Sequence, residues 1–248
     1  MTRTHRIAVI PGDGIGPEVV SESLRILERV AAQDGFRVEL TQYPFGAEHH
    51  LKTREVMPES AFQEIAGHDA ILLGAIGDPR IEVGLLEFGI IAKMRFDLDL
   101  FVNLRPVKLY AEHLCPLKDK GPEDVDFVVV RENTEDAYAG MRGFFKKGTP
   151  DEIATQEIIF TRKGVERVIR YGFELARARK RSRKLTLIDK ANAIRAMDIW
   201  TRVFEEVGAE YPDITREHYY IDAACMYVVK NPEWFDVAVT SNMFGDIF

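Results

Sequence analysis

The sequence predicts an α/β protein whose sheets are largely parallel. Three observations carry that prediction. Short apolar runs recur along the chain, stretches with helical spacing lie between several of them, and polar or charged residues gather just after the runs. Open α/β sheets bind ligands beyond the carboxyl ends of their strands, so the third observation also says where to look for chemistry.

RIAVI at 6–10 reads as a buried strand, and Glu18 to Ala31 then shows helix spacing through Val20, Leu24, Ile26, Leu27 and Val30. AILLGA at 70–75 and DFVVV at 126–130 are further strand runs. Between Met141 and Thr161 the alternation breaks: GFFKKGTPDE is rich in turn formers and EIIFT is strand-like, which together predict a hairpin arm. Helix spacing returns from Gly164 to Ala178 through Val165, Val168, Ile169, Phe173 and Leu175. KLTLI at 184–188 is another strand, Asn192 to Val207 a third helix, and FDVAV at 235–239 a last strand. In the closing SNMFGDIF, Asp246 follows a glycine and is expected to cap a helix, because Asp is a favoured N-cap residue.

With 248 residues, 46% of them apolar, there is material for one large domain or two smaller ones. Lys and Arg total 33 against 40 Asp and Glu, a net charge of −7 that argues against a generic nucleic-acid binder. Cys115 and Cys225 have no metal-ligand spacing, and two free thiols fit a reducing compartment. No run approaches the ~18 apolar residues of a membrane span, and the first residues lack a signal peptide's apolar region. The expectation is a cytoplasmic protein without a membrane or nucleic-acid partner.

The residues after the apolar runs are chemically coherent. They place Asp13, Asp78, Arg131, Tyr138, Lys190, Asn192, Asp222 and Asp246 on a candidate ligand-facing rim, with Arg95 and Arg105 ten residues apart in KMRFDLDLFVNLRP. Arginine forks suit carboxylates, and Asp oxygens suit a hard cation such as Mg²⁺ or Mn²⁺. The set points to a small carboxylate substrate. Each residue alone has a plainer reading, as a surface ion pair or a turn former. The glycines of GDGIG fall at 12, 14 and 16, which is not the dinucleotide fingerprint; alone they mark a tight strand-to-helix turn.

Six motifs taken together go further. IPGDGIGPEV, LLGAIGDPR, DLFVNLRPVKLY, VVRENTEDAYAG, LIDKAN and FDVAVTSNMFGD, in that order from residue 6 onward, resemble the isocitrate/isopropylmalate dehydrogenase family, most closely its isopropylmalate branch. The resemblance implies that family's two-domain fold with mixed, largely parallel sheets. Residues 1–101 would be a cofactor-side domain and 102–248 a substrate and dimerisation domain, with the arm at 141–161 clasping a second subunit. It implies NAD-dependent, metal-assisted oxidative decarboxylation of 3-isopropylmalate, a step of leucine biosynthesis. Arg95, Arg105 and Arg131, with Asn192 and Ile91, match substrate-binding positions; Tyr138 matches the acid that protonates the enol carbon. Lys190 matches the residue that takes the hydroxyl proton, Asp222 and Asp246 match metal ligands, and Gly74, Gly77 and Asp78 match cofactor contacts. In this family the lysine and the first aspartate reach the site from the other subunit of a homodimer with shared active sites. The family pattern places a further metal-binding Asp four residues after Asp246, so the resemblance also implies a chain shortened at its C-terminal end, lacking part of the first domain and inactive alone.

Ahead of Arg95, GLLEFGIIAKM offers Leu85, Leu86, Ile90 and Ile91 as an apolar wall for an isopropyl group. The window is one residue longer than in isopropylmalate enzymes, which leaves its pocket geometry open. Tartrate, D-malate and (homo)isocitrate are the alternative substrates. A non-catalytic subunit or pseudoenzyme is the alternative from another class.

Overall fold

The computed structural model describes residues 3–248. The chain divides into two compact units, Met1–Asp99 and Leu100–Phe248. Both are built from strands and helices with largely parallel sheets.

In the first unit, β1 (Thr4–Gly12) lies between β2 (Arg37–Gln42) and β3 (Ala70–Ala75) in a parallel three-stranded sheet. Ile7 is aligned with Leu40 on one side and Ala70 on the other. The helices are α1 (Gly16–Asp34), α2 (Ala47–Thr53), α3 (Glu59–Ala66) and α4 (Lys93–Asp97). The core gathers Ala8, Ile10, Tyr43, Phe45, Phe62, Ile65, Ile90 and Met94.

Directly before α4, residues Glu87–Ala92 form a π-helix. This corrects the expected apolar wall. Leu86, Ile90 and Met94 are 1%, 0% and 4% exposed, so two of the four expected wall residues belong to the interior. The physical reason is periodicity. At 3.6 residues per turn, positions eight apart drift by about 80° around an α-helix. The wider π turn keeps i, i+4 and i+8 in line, so all three side chains reach the core. The same spacing relates Glu87, Ile91 and Arg95.

The second unit holds a five-stranded sheet in the order β4 (Val102–Lys108), β5 (Asp126–Glu132), β10 (Val237–Thr240), β8 (Lys184–Asp189), β9 (Thr215–Tyr220). Only β4 is antiparallel, to β5. Every residue of β10 is buried, as expected for the middle strand of a covered parallel sheet. Helices α5 (Arg162–Arg179) and α6 (Asp198–Gly208) supply Phe173, Trp200 and Phe204 to the core. Helix α7 (Ile221–Lys230) follows β9, and α8 (Asn242–Ile247) follows β10.

Three expectations shift. The arm is a hairpin, but its strands are β6 (Arg142–Phe145) and β7 (Ile153–Gln156), paired from Arg142–Gln156 to Phe145–Ile153. EIIFT leads instead into α5, where Thr161 caps the helix by accepting the Gly164 N–H. The helix expected from Asn192 starts at Asp198, because Lys190 closes a turn: its carbonyl accepts the N–H groups of Ala193 and Ile194 at 2.9 and 2.8 Å. Asp246 does not cap α8. Ser241 takes the extended N-cap backbone immediately after β10, so the helix begins at Asn242 and Asp246 lies in its last turn.

Candidate active site

The second unit brings several predicted residues together at one end of its sheet. Arg131 lies near the carboxyl end of β5, aligned with Thr240 of β10, and α8 begins just beyond. The Arg131 guanidinium donates to the Asn242 side-chain oxygen through Nε at 3.0 Å and Nη2 at 2.8 Å. Nη1 donates to Asp246 at 2.5 Å. Arg105, from the antiparallel β4, donates to the same Asp246 oxygen at 3.4 Å and to the Gly245 carbonyl at 3.2 Å. Two guanidiniums therefore converge on one carboxylate. The surplus positive charge suits a second, incoming carboxylate.

The helix can approach this closely because Gly245 has no side chain. A Cβ there would stand 2.5 Å from Cγ of Arg131. The ring of Tyr138 lies 5.7 Å from the Arg131 guanidinium carbon, within cation–π range, and is 41% exposed. Tyr138 sits in a 3₁₀ turn, Asp136–Ala139, held from below by the buried Glu132. That carboxylate accepts from the Thr134 hydroxyl and from the Thr134 and Glu135 N–H groups, while burial pushes its pKa up.

A second cluster lies at the ends of β8 and β9. Lys190 donates to Asp222, and this ion pair holds the Asp222 carboxyl below its ordinary range. Asp189, fully buried, accepts from the Ala191 N–H at 3.1 Å and lies 3.0 Å from His218 Nε2. Asn192 is exposed in the turn that follows. Among the described residues, no hydrogen bond or ion pair joins the Lys190–Asp222 pair to the Arg131–Asp246 cluster.

In the first unit, Arg95 is part of α4 and Ile91 of the π-helix, both partly exposed. Gly74 lies within β3, where any side chain would overlap the Pro11 carbonyl; close packing alone demands a glycine there. The Gly77 N–H donates to Asp13 at 3.1 Å, and the Ala47 N–H donates to the other Asp13 oxygen at 2.7 Å. Asp13 is buried and tied to backbone, which removes it from the candidate rim. Asp78 accepts from Nε and Nη2 of Arg80 at 2.9 and 2.8 Å and from the Arg80 backbone N–H at 2.8 Å, which holds its pKa at about 2.

Sequence reasoning passed over Asn242, Asp136 and Asp189. Asn242 stands inside FDVAVTSNMFGD and its position just after a strand was a usable signal. Nothing local distinguishes Asp136 from a solvent-facing turn residue. The oxygens of Asp222 and Asp246 are the right kind for Mg²⁺ or Mn²⁺, but each carboxylate sits with its own cation in a separate cluster. Among the described residues, no three His, Cys, Asp or Glu side chains are grouped to hold a metal.

The isocitrate/isopropylmalate dehydrogenase family pattern matches residues 6–248. The chain is 51% identical over 246 residues to a 3-isopropylmalate dehydrogenase of Thermobifida fusca, spanning 99% of this chain and 69% of that protein. It is 48% identical over 248 residues to one from Bifidobacterium longum, spanning 71% of it. An isocitrate dehydrogenase structure from Methylococcus capsulatus superposes with a TM-score of 0.85 at 34% identity, covering 98% of this chain and 68% of that one. A β-decarboxylating dehydrogenase structure from Thermococcus kodakarensis gives 0.73 at 31% identity, covering 98% and 66%.

Proposed function

Because the chain belongs to the isocitrate/isopropylmalate dehydrogenase family, we propose that it serves the NAD-dependent oxidative decarboxylation of 3-isopropylmalate in leucine biosynthesis. The observation that carries this is the convergence of Arg105 and Arg131 on Asp246 beside the exposed ring of Tyr138. Arg131, clamped by Asn242, is a guanidinium held in a fixed orientation, which suits it to a carboxylate. Arg105 completes the fork, and Arg95 is assigned the same role from the family pattern.

NAD, when bound, accepts the hydride, and Mg²⁺ or Mn²⁺, when bound to Asp222 and Asp246, supplies a Lewis acid. The chain's own groups do the proton work. Lys190 is assigned to help remove the proton from the substrate hydroxyl, which lets hydride leave. Tyr138 Oη gives a proton to the carbon left electron-rich when CO₂ departs. Asn192 lies two residues from Lys190 and is assigned to the substrate. Gly74, Gly77 and Asp78 are assigned to the cofactor side, with residues 1–101 as that domain. Ile91 and the exposed Leu85 remain as the apolar wall.

Lys190 and Asp222 are paired with each other and not bonded to the arginine cluster in a single chain. This supports a homodimer in which each chain lends that pair to its partner's site, with the hairpin arm as the clasp. Residues 1–248 cover 69–71% of the length of the two relatives above.

The test is NADH formation by the protein with NAD and Mg²⁺. 3-Isopropylmalate should exceed D-malate by about 30-fold in kcat/KM, the worth of about 2 kcal/mol from burying the isopropyl carbons. Equal or higher activity with D-malate, tartrate or isocitrate overturns the substrate assignment.

A further inference from the structure

We propose that Asp136 is a positioning residue that locks the Tyr138 turn to helix α8. The inference rests on the roles assigned above to Tyr138 and Asp246. Asp136 has a left-handed backbone, φ +73°, and is 1% exposed. A non-glycine residue is strained there unless its surroundings hold it.

What holds it is a complete set of hydrogen bonds. Its N–H donates to the Ile159 carbonyl at 2.9 Å. One carboxylate oxygen accepts the Ala137 N–H at 2.8 Å, and the other accepts the Met243 N–H at 2.9 Å. Met243 is the second residue of α8, where backbone N–H groups have no partner within the helix. Ser241, at the N-cap, makes no capping bond, and its buried hydroxyl has no partner. Asp136 therefore caps α8 from 107 residues away.

Asn242 adds a parallel tie. Its amide donates to the Glu135 carbonyl at 3.2 Å while its oxygen receives Arg131. The turn that carries Tyr138 and the helix that carries Asp246 are thereby one piece, and Arg131 lies between them. Only a carboxylate accepts from both Ala137 and Met243 at once. Asparagine offers one oxygen, and glycine offers none.

Strain and capping predict opposite orders. If Asp136 merely tolerates a strained turn, Asp136→Gly relieves it and protects the region at least as well as wild type. If Asp136 caps α8, protection falls from Asp to Asn to Gly. The wild-type protein and its Asp136→Asn and Asp136→Gly variants are compared by hydrogen exchange of peptides spanning 241–247. 3-Fluorotyrosine is incorporated as well, and the Tyr138 resonance is assigned with Tyr138→Phe. Asn keeps the left-handed turn accessible, so that variant folds even if Gly loosens the region. We expect exchange in 241–247 to rise about fivefold or more in Asp136→Gly and by less in Asp136→Asn. The Tyr138 resonance should shift in the same order, although residue 136 makes no bond to the phenol. Unchanged or slower exchange in Asp136→Gly, or an unmoved Tyr138 resonance, overturns the coupling. The catalytic reading fails separately, if Tyr138→Phe leaves turnover intact.

Discussion

Arg131 and Asp246 form a 2.5 Å ion pair whose two sides differ in exposure, 6% for the arginine side chain and 51% for the aspartate. The cation is built in, and the anion is free to face a ligand. Removing one side should therefore not resemble removing the other. Arg131→Lys loses the fork that grips Asn242 and leaves that buried side-chain oxygen unpaired, a cost of about 1–3 kcal/mol. Asp246→Asn keeps Arg131 clamped and should change stability by less than about 1 kcal/mol. Denaturant unfolding of both variants checks this; equal losses would show that the exposed carboxylate, not Asn242, holds the guanidinium.

Gly245 sets helix propensity against packing. Alanine is better than glycine inside a helix by about 1 kcal/mol, which predicts a more stable Gly245→Ala. The new Cβ would stand 2.5 Å from Cγ and 2.7 Å from Cβ of Arg131, part of a side chain fixed at its far end. We expect packing to win, with stability falling by about 1–3 kcal/mol and affinity for a dicarboxylate falling with it. A gain in melting temperature with unchanged affinity would show that Arg131 moves aside at little cost.

How far such relationships were legible in the sequence depended on their range. The strands at DFVVV and KLTLI stood out because continuous apolar runs are what a covered parallel sheet demands. The start of α6 was misplaced because Lys190, a residue with no turn signature, closes a turn through its carbonyl. The π-helix was hidden because Leu86, Ile90 and Met94 fit an α-helical stripe nearly as well. Asp136 was invisible because its partner, Met243, lies 107 residues away. The motifs marked which residues matter; the bonds that aim them are long-range.

Asp126 provides a pH test of the second unit. Arg179 donates to its carboxylate at 3.0 Å and holds its pKa below the ordinary carboxylate value. A depressed folded-state pKa adds stability above the unfolded value, about 3.9, and that stability is lost as pH falls through the folded-state value. Asp126→Asn should cost about 0.5–1 kcal/mol near neutral pH. The gap should narrow below about pH 4 and vanish in stronger acid. Urea midpoints across that range decide it; a constant gap would assign the loss to packing.

Lys190→Met separates proton transfer from binding. The arginine cluster supplies the carboxylate contacts, so KM should move little while kcat falls by about 10²–10⁴-fold, the usual worth of a general acid or base. Steady-state kinetics of wild type and variant decide this. An unchanged kcat with a raised KM would reassign Lys190 to substrate binding.

The π-helix yields a deletion prediction. Residues 87–92 absorb one extra position while keeping Leu86, Ile90 and Met94 in the core. Removing Ala92 turns the spacing of these three into i, i+4, i+7, which is the ordinary buried stripe of an α-helix. Glu87, Ile91 and Arg95 change in the same way, so the second line of side chains is preserved too. The deletion also restores α-helical hydrogen bonds in place of the rarer π pattern. Gly89 keeps its place against Val56, which a Cβ would meet at 2.6 Å, because it is N-terminal to the deleted residue. We therefore expect the Ala92 deletion to fold with a stability change of less than about 1 kcal/mol and to retain its substrate preference. Most single-residue deletions inside a helix rotate every following side chain off its face. A loss above about 2 kcal/mol, the scale of emptying a core site, would mean that Met94 left the interior and that the π turn, rather than the spacing it preserves, is what the fold requires.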